Sequence, residues 1–442
     1  MGLNDADVAW LEAVGRAFAA AGGSGSVILA DAALEAGLRS AGVSMTRADI
    51  QVSSPILSGI DPATGYIEDP VNSATGNFVL PETDVVFGGP SQGLAISRMY
   101  NSTLAAAYDE PEACGVLGPG WSTILDQRLI VTDEQARWVR DDGREIVFPL
   151  TGRNGASGSP TAEGCHTVEG PWRAAQDNVW ISRGDAADLA GVQGATVAGP
   201  VWIVADNTGS RLIFTAEGAW VGSTSGAGDG IWIERRDGMA ISMHSEWGRS
   251  VDLFYAQGRL AKAVASDGRS VSYAYDSQGR LVEVTRPDGV HHYQWDGWLL
   301  SQVIDASGVA QCVNTFDEAG RIRTQRDATG HLTRFTYLPG GVTVADDGQG
   351  HHSNTWISDT RGRTVGIIDA DGQRTSMRYD RYGNLVGATD RAGKVIRHTY
   401  NERGHRTRTT LPTGGVIEYG WDEADRLTTI STAGTLRARL DY

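Results

Sequence analysis

YDSQGRLVEVTRPDG at residues 275–289, FDEAGRIRTQRDATG at 316–330, YDRYGNLVGATDRAG at 379–393 and YNERGHRTRTTLPTG at 400–414 are copies of one unit. Aligning them gives nine segment heads: Phe254, Tyr275, Trp295, Phe316, Tyr337, Ser358, Tyr379, Tyr400 and Trp421. Only Ser358 is not aromatic. Every step is 21 residues apart from the 20 between Tyr275 and Trp295, and Tyr442 stands where a tenth head would fall. A fixed interval of this length marks one supersecondary unit stacked many times.

Two glycines punctuate each unit. Seven units carry one four residues after the head, and all nine carry one at 13 or 14 residues after it. The pair divides a unit into two strands of ordinary length. Asp276, Asp317, Asp380 and Asp422 follow their heads directly and can bond their own backbone two residues on. Gly279, Gly320, Gly383 and Gly404 supply the left-handed position of the turn. Tyr275, Phe316, Tyr379, Tyr400 and Trp421, with the Leu or Ile after the turn, then line one side of the sheet as cross-strand ladders. These are the structural site residues of the array. Units with Leu299 or Asp425 in place of the first glycine are expected to turn differently.

The expected fold is mainly β: an antiparallel β-hairpin repeat array, open and incomplete, behind a short N-terminal α-helical lead-in. Residues 1–50 form the lead-in, where Val8, Leu11, Val14 and Phe18 recur at helical spacing. Residues 51–75, with Pro55, Gly59, Pro62, Gly65 and Pro70, read as a linker. Residues 76–250 form a β-rich front domain, with strands expected at 77–80, 84–87, 94–100, 124–131, 136–140 and 145–150 and a Gly/Ser-rich loop at 151–170. Residues 251–442 are the array.

The net charge of −16 lies wholly in residues 1–250, because residues 251–442 hold 23 basic and 23 acidic side chains. No basic stripe stands out, and no nucleic acid is expected as a partner. Cys114, Cys165 and Cys312 are too far apart for a zinc or disulfide framework. No run is apolar enough for a transmembrane helix, and the first residues lack the pattern of a Sec signal peptide.

Candidate chemistry is sparse. His291-His292 and His351-His352 are adjacent pairs whose side chains leave opposite faces of a strand, which disfavours one shared metal. Asp369-Ala370-Asp371-Gly372 lacks the remaining ligands of a calcium loop and reads as a turn. Residues 115–120 are not followed by the Lys-Ser/Thr of a phosphate loop. Trp220, Trp232, Trp247 and Trp298 lie off the heads and are the candidates for stacking on a glycan. No catalytic residue, cofactor or metal is expected.

The Tyr-Asp-x-x-Gly-Arg-Leu pattern at this spacing resembles the YD repeat of Rhs and teneurin-like proteins, over about 254–442. DPVNSATGNFVLPETDVVF (69–87), AISRMYNS (95–102) and GPGWSTILDQRLIV (118–131) resemble the domain that precedes the YD shell in bacterial Rhs polymorphic toxins. The resemblance implies a hollow β-shell that encloses a C-terminal toxin, closed by a core motif with an aspartyl self-cleavage site. This sequence holds no such motif, so it reads as a non-enzymatic shell segment whose partners are the missing shell and toxin cargo, or a protein at the C-terminal edge. Export by a specialised system is expected. A surface adhesion module with a glycan as partner is the alternative. An exposed last strand predicts association.

Overall fold

The computed structural model describes residues 58–440 except 69, 89–92, 108–113, 151–169, 186–196, 198, 226–228 and 349–352. The helical lead-in at 1–50, residues 51–57 of the linker, nearly all of the loop at 151–170, Cys165, His351-His352 and Tyr442 lie outside the described residues.

Alternating apolar residues followed by turn chemistry give short antiparallel strands throughout. The front domain holds β1 (Tyr66–Ile67), β2 (Val71–Asn72), β3 (Val79–Val86), β4 (Ala95–Asn101), the short helix α1 (Ser102–Ala106), β5 (Trp121–Thr123), β6 (Arg128–Val131), β7 (Gln135–Val139) and β8 (Glu145–Pro149). The two strands expected at 77–80 and 84–87 are one, β3. Ile124–Asp126, expected as strand, is a 3-10 turn, because the Asp126 carboxylate and Thr123 hydroxyl cap each other's backbone. A knot of side chains closes the domain: Asn101 Oδ1 accepts from Gly59 N at 2.7 Å and Asn77 Nδ2 at 3.2 Å, and Asn77 Oδ1 accepts from Ser102 Oγ at 3.2 Å.

From β9 (Trp172–Arg173) to β34 (Thr435–Arg439) the chain is one meander, each strand antiparallel to the next. The strand order follows that of a barrel. Among the described residues, however, no backbone register joins β34 to β9, so the wall is an open sheet that curls. The sheet begins about 80 residues before the motif becomes regular at 251. Register shifts mark nearly every head, as between Ala274 and Tyr275 or Thr399 and Tyr400, and identical shifts occur upstream at Ile213/Phe214 and Glu234/Arg235. Such bulges re-aim a side chain.

One head is displaced from its expected place. The bulge of the first unit falls between Phe254 and Tyr255; Tyr255 packs against the core while Phe254 is 52% exposed. The strand β16 (Ser250–Ala256) alternates strictly, so a head must sit in phase with Val251 and Leu253. The 20-residue step comes from turn length: β19 (Leu281–Arg286) and β20 (Gly289–Asp296) join through Pro287-Asp288 alone. Asp425 keeps the longer turn by adopting φ 63° without a glycine.

The buried apolar core runs from the front domain into the array and stops at Ile357 among the described residues. Front-domain strands cover one face of the wall as far as β25 (Val342–Asp346). From β28 (Arg374–Tyr379) onward the wall is a single layer.

Candidate functional site

The turn after each head is one device repeated. Asp276 Oδ1 accepts from the N–H groups of Gln278 at 2.9 Å and Arg280 at 3.0 Å, and Oδ2 accepts from Arg280 Nε at 2.7 Å. Asp317, Asp359 and Asp422 repeat this with Arg321, Arg363 and Arg426. At Asp380 the same role falls to Asn384, and Asn401 holds its turn through Arg403 N and His405 N. The second turn of a unit is built likewise, with Asp305, Asp327, Asp369 and Asp390 as the acceptors. The first-turn aspartates stand out in the sequence beside their heads, whereas of the second-turn acceptors only Asp369 does, in the turn at 369–372.

Most neighbouring hairpins pair only near their second turns, β25 and β26 (Ser353–Ser358), joined over five residue pairs, being an exception. β17 (Arg259–Ala265) meets β18 (Ser270–Tyr275) over three residue pairs, and β31 (Arg406–Thr410) meets β32 (Val416–Trp421) over three. Toward the head turns the strands splay, leaving backbone groups out of the ladder. The head rings fill this gap. Tyr275 Oη donates to the Leu260 carbonyl at 2.7 Å, Trp295 Nε1 to Leu281 at 2.8 Å and Tyr337 Oη to Ile322 at 2.6 Å. Further along, Tyr400 Oη donates to Leu385 at 2.8 Å and Trp421 Nε1 to Arg406 at 2.9 Å. Each target lies 14 or 15 residues upstream, in the preceding unit. Phe316 has no donor, and Asn314 Nδ2 serves the Leu300 carbonyl instead at 3.3 Å. The heads are therefore caps as well as packing, each contributing about 1 kcal/mol. Burial pushes the Tyr275 and Tyr337 phenols well above the usual range, so they stay protonated donors.

The front domain supplies what the heads cannot. Its acceptors meet freed N–H groups of the array: Val116 O meets Leu260 N at 2.9 Å, Tyr100 Oη meets Leu300 N at 2.9 Å, Gly76 O meets Ile322 N at 3.0 Å and Ala63 O meets Thr364 N at 2.9 Å. These positions recur at intervals close to one or two units. The front domain thus reads the repeat as a template.

At the centre of this seam sits a buried ionic cluster. Arg98 is 2% exposed; its Nε binds Asp84 Oδ2 at 2.8 Å, and its Nη2 donates to Tyr293 Oη at 2.7 Å. Tyr273 Oη donates to Asp84 at 2.9 Å, while Arg286 of β19 (Leu281–Arg286) reaches Glu82 at 2.8 Å. The Arg98 guanidinium lies over Trp121 and Tyr293, and Tyr100 stacks edge-on with Trp121 and Trp295. Burial opposes the charge on Arg98, yet Asp84, Tyr293 and Glu82 outweigh it and hold the pKa above its ordinary value. The cluster locks two segments about 200 residues apart. It offers no acid–base pair poised for chemistry.

A second seam joins the start of the sheet to its later turns. Arg173 lies over the Tyr382 ring and donates to the Glu402 carbonyl at 2.8 Å; Asn178 Nδ2 donates to Asn384 Oδ1 at 2.7 Å. His405 Nε2 meets the Asn207 carbonyl at 2.7 Å and its ring stacks on Trp421 at 4.2 Å.

Among the described residues, no group of three or more His, Cys, Asp or Glu side chains could hold a metal, and no helix is long and apolar enough to cross a membrane. His291 is buried while His292 is exposed, as their alternation requires. Residues 369–372 form a turn. Trp220 is withdrawn as a glycan candidate, because it is fully buried beneath the front domain's core. Trp232 stacks on His244, Trp298 is half-buried, and Trp247 is 67% exposed.

Comparison with known proteins adds the following. The RHS repeat profile matches residues 254–291, 359–395 and 400–437, and a domain of unknown function, DUF6531, matches residues 68–148. The tRNA nuclease WapA of Bacillus subtilis (strain 168) is 24% identical over 323 residues, spanning 71% of this chain and 13% of that protein. The chain therefore covers about an eighth of the length of the curated relatives it matches. Among solved structures, the Photorhabdus luminescens Tc holotoxin pore is similar over 70% of this chain and 20% of that one, at 12% identity and a TM-score of 0.32. The TcdB2-TccC3-TEV structure is similar over 86% of this chain and 24% of that one, at 12% identity and a TM-score of 0.32.

Proposed function

The chain is an Rhs/YD-repeat protein, and on that premise we propose that it is the first part of a toxin-associated β-shell, acting by enclosure and not by chemistry. Its wall shields or carries a toxin segment that belongs to the longer protein. One observation supports this above others: the wall beyond Ile357 keeps its turns, its head caps and its ladder while burying no apolar side chain among the described residues. A wall built this regularly without a core of its own is suited to be covered by something else. Export through a specialised system is part of the same reading.

The locus itself provides the test. Further 21-residue units followed by a non-repeat domain are expected downstream, and that domain should resist protease in the whole protein until the shell is opened. A downstream region without repeats or cargo would end the carrier reading.

A second reading, a glycan-binding surface, rests on a groove of about 610 Å³ lined by Tyr400, His405, Tyr419, Trp421 and Asp425. Glycan-array binding lost in Trp421→Ala would favour it; no binding to any glycan would remove it.

A further inference from the structure

A smaller pocket of about 220 Å³ lies where three parts of the chain meet: Asp61–Ala63 and Arg144 of the front domain, Gln176–Asn178 ahead of β10 (Val179–Asp185), and the head turns at 361–363 and 381–384. Its wall carries four guanidinium groups, of Arg144, Arg361, Arg363 and Arg381, and two carboxylates, of Asp61 and Asp177. Both carboxylates are committed to one nitrogen of Arg144, each at 2.7 Å. Arg363 is matched by Asp359 at 2.7 Å. Among the described residues, the Arg361 guanidinium donates only to the Arg381 carbonyl, at 2.8 Å, and that of Arg381 only to the Tyr382 hydroxyl. Among the described residues, neither has a carboxylate within ion-pair distance.

Two further observations bear on the same pocket. Arg144 is 5% exposed, and its buried Nε has no hydrogen-bond partner among the described residues. The excess of arginine is also local to these two turns. The matching turn positions of other units hold Ser277 and Gln278, Glu318 and Ala319, or Glu423 and Ala424. Arg403, the other arginine at such a position, is neutralised by Asp425.

We propose that this pocket binds a compact oxyanion, a phosphate, sulfate or carboxylate group, held chiefly by Arg361 and Arg381. Planar guanidinium forks suit such groups because each can place two N–H donors on two oxygens. The volume admits one such group with a few waters and excludes a polymer strand. Because the walls come from front domain, early sheet and later repeats, the bound anion fastens all three. The site is independent of the carrier reading.

Isothermal titration of the full chain with inorganic phosphate, sulfate and acetate, each at fixed ionic strength, tests this. Saturable binding of at least one anion is expected. It should weaken about tenfold or more in Arg361→Gln/Arg381→Gln, since each charge-assisted bond lost is worth that order. Arg323→Gln/Arg408→Gln, which removes two exposed arginines elsewhere, should bind like the parent. The ranking of the three anions identifies the group. Absence of saturable binding in the parent, or equal binding in the 361/381 variant with unchanged circular dichroism, would overturn the proposal.

Discussion

The first and second halves of the repeat wall are built from the same unit and yet are different objects. From β16 to β25 the inward positions are Val271, Tyr273, Val284, Tyr293, Val303, Phe335 and Ala345, all buried against the front domain. From β28 to β34 the buried residues are Gly387, His398, Gly404, His405 and Thr409, none of them with an apolar side chain. Turn chemistry and head caps are the same in both. The difference teaches that the 21-residue motif encodes the hairpin and its link to the next hairpin, whereas stability as a packed layer comes from whatever covers the wall. Repeat arrays sum unit and neighbour terms in this way.

Substitutions can break or sharpen this contrast. The largest effect is expected in the covered half from Asp84→Ala, which leaves the Arg98 charge buried without its nearest partner. A loss of about 3–5 kcal/mol is expected in chemical denaturation. A loss below about 1 kcal/mol would show that the seam does not hold the two parts together.

Glycines on the two rims come next. A Cβ at Gly320 would stand 2.6 Å from the Ala106 Cβ of the front domain, whereas one at Gly330 meets nothing within 4 Å. Both have positive φ, so Gly330→Ala should cost about 1 kcal/mol by strain, and Gly320→Ala about 3 kcal/mol by strain and overlap. Equal melting temperatures for the pair would contradict the assignment of covered and free rims.

The same deletion made in both halves is a finer probe. Tyr337→Phe orphans the Ile322 carbonyl in a buried gap and should cost about 1–3 kcal/mol. Tyr400→Phe does the same to Leu385 where water can reach, and should cost about 1 kcal/mol or less. Phe316→Tyr, where Asn314 already caps Leu300, should gain little.

Acid provides the smallest effect. The Ser307 hydroxyl, the Thr329 hydroxyl and the Arg426 N–H hold the carboxyls of Asp305, Asp327 and Asp422 below their usual range. Their folded pKa lies under the unfolded value, so their contribution is complete above about pH 4 and is lost as pH falls through the folded pKa. Carbon-detected NMR of these carboxyls should show the depressed midpoints, and ordinary midpoints would mean that the turns are loose in solution.

The β class, the period and the first turn's aspartate and glycine were legible because each depends on neighbours close in sequence. The front domain was legible through Asn77, Asn101 and Ser102, whose motif carries the polar knot. Other features were hidden for physical reasons. The bulge that moves the first head to Tyr255 depends on hairpin register, and Arg235 occupies a head-like bulge without any aromatic signature. The carbonyl caps require knowing that neighbouring strands splay. The Arg98–Tyr293 bond joins positions 195 residues apart, which no local pattern encodes. Trp220 was misread because an off-period aromatic looks free in sequence, while tertiary packing decides its exposure.

Hydrogen exchange followed by peptide mass spectrometry tests the central claim most directly. Backbone ladders run through both halves, so any difference in protection reports the cover and not the hydrogen bonding itself. Slow exchange over residues 270–345 and exchange faster by orders of magnitude over 374–439 is the expected result for the full chain. Uniform protection across the two stretches would contradict it, showing that the repeat wall is stable by itself and that the front domain's cover is incidental.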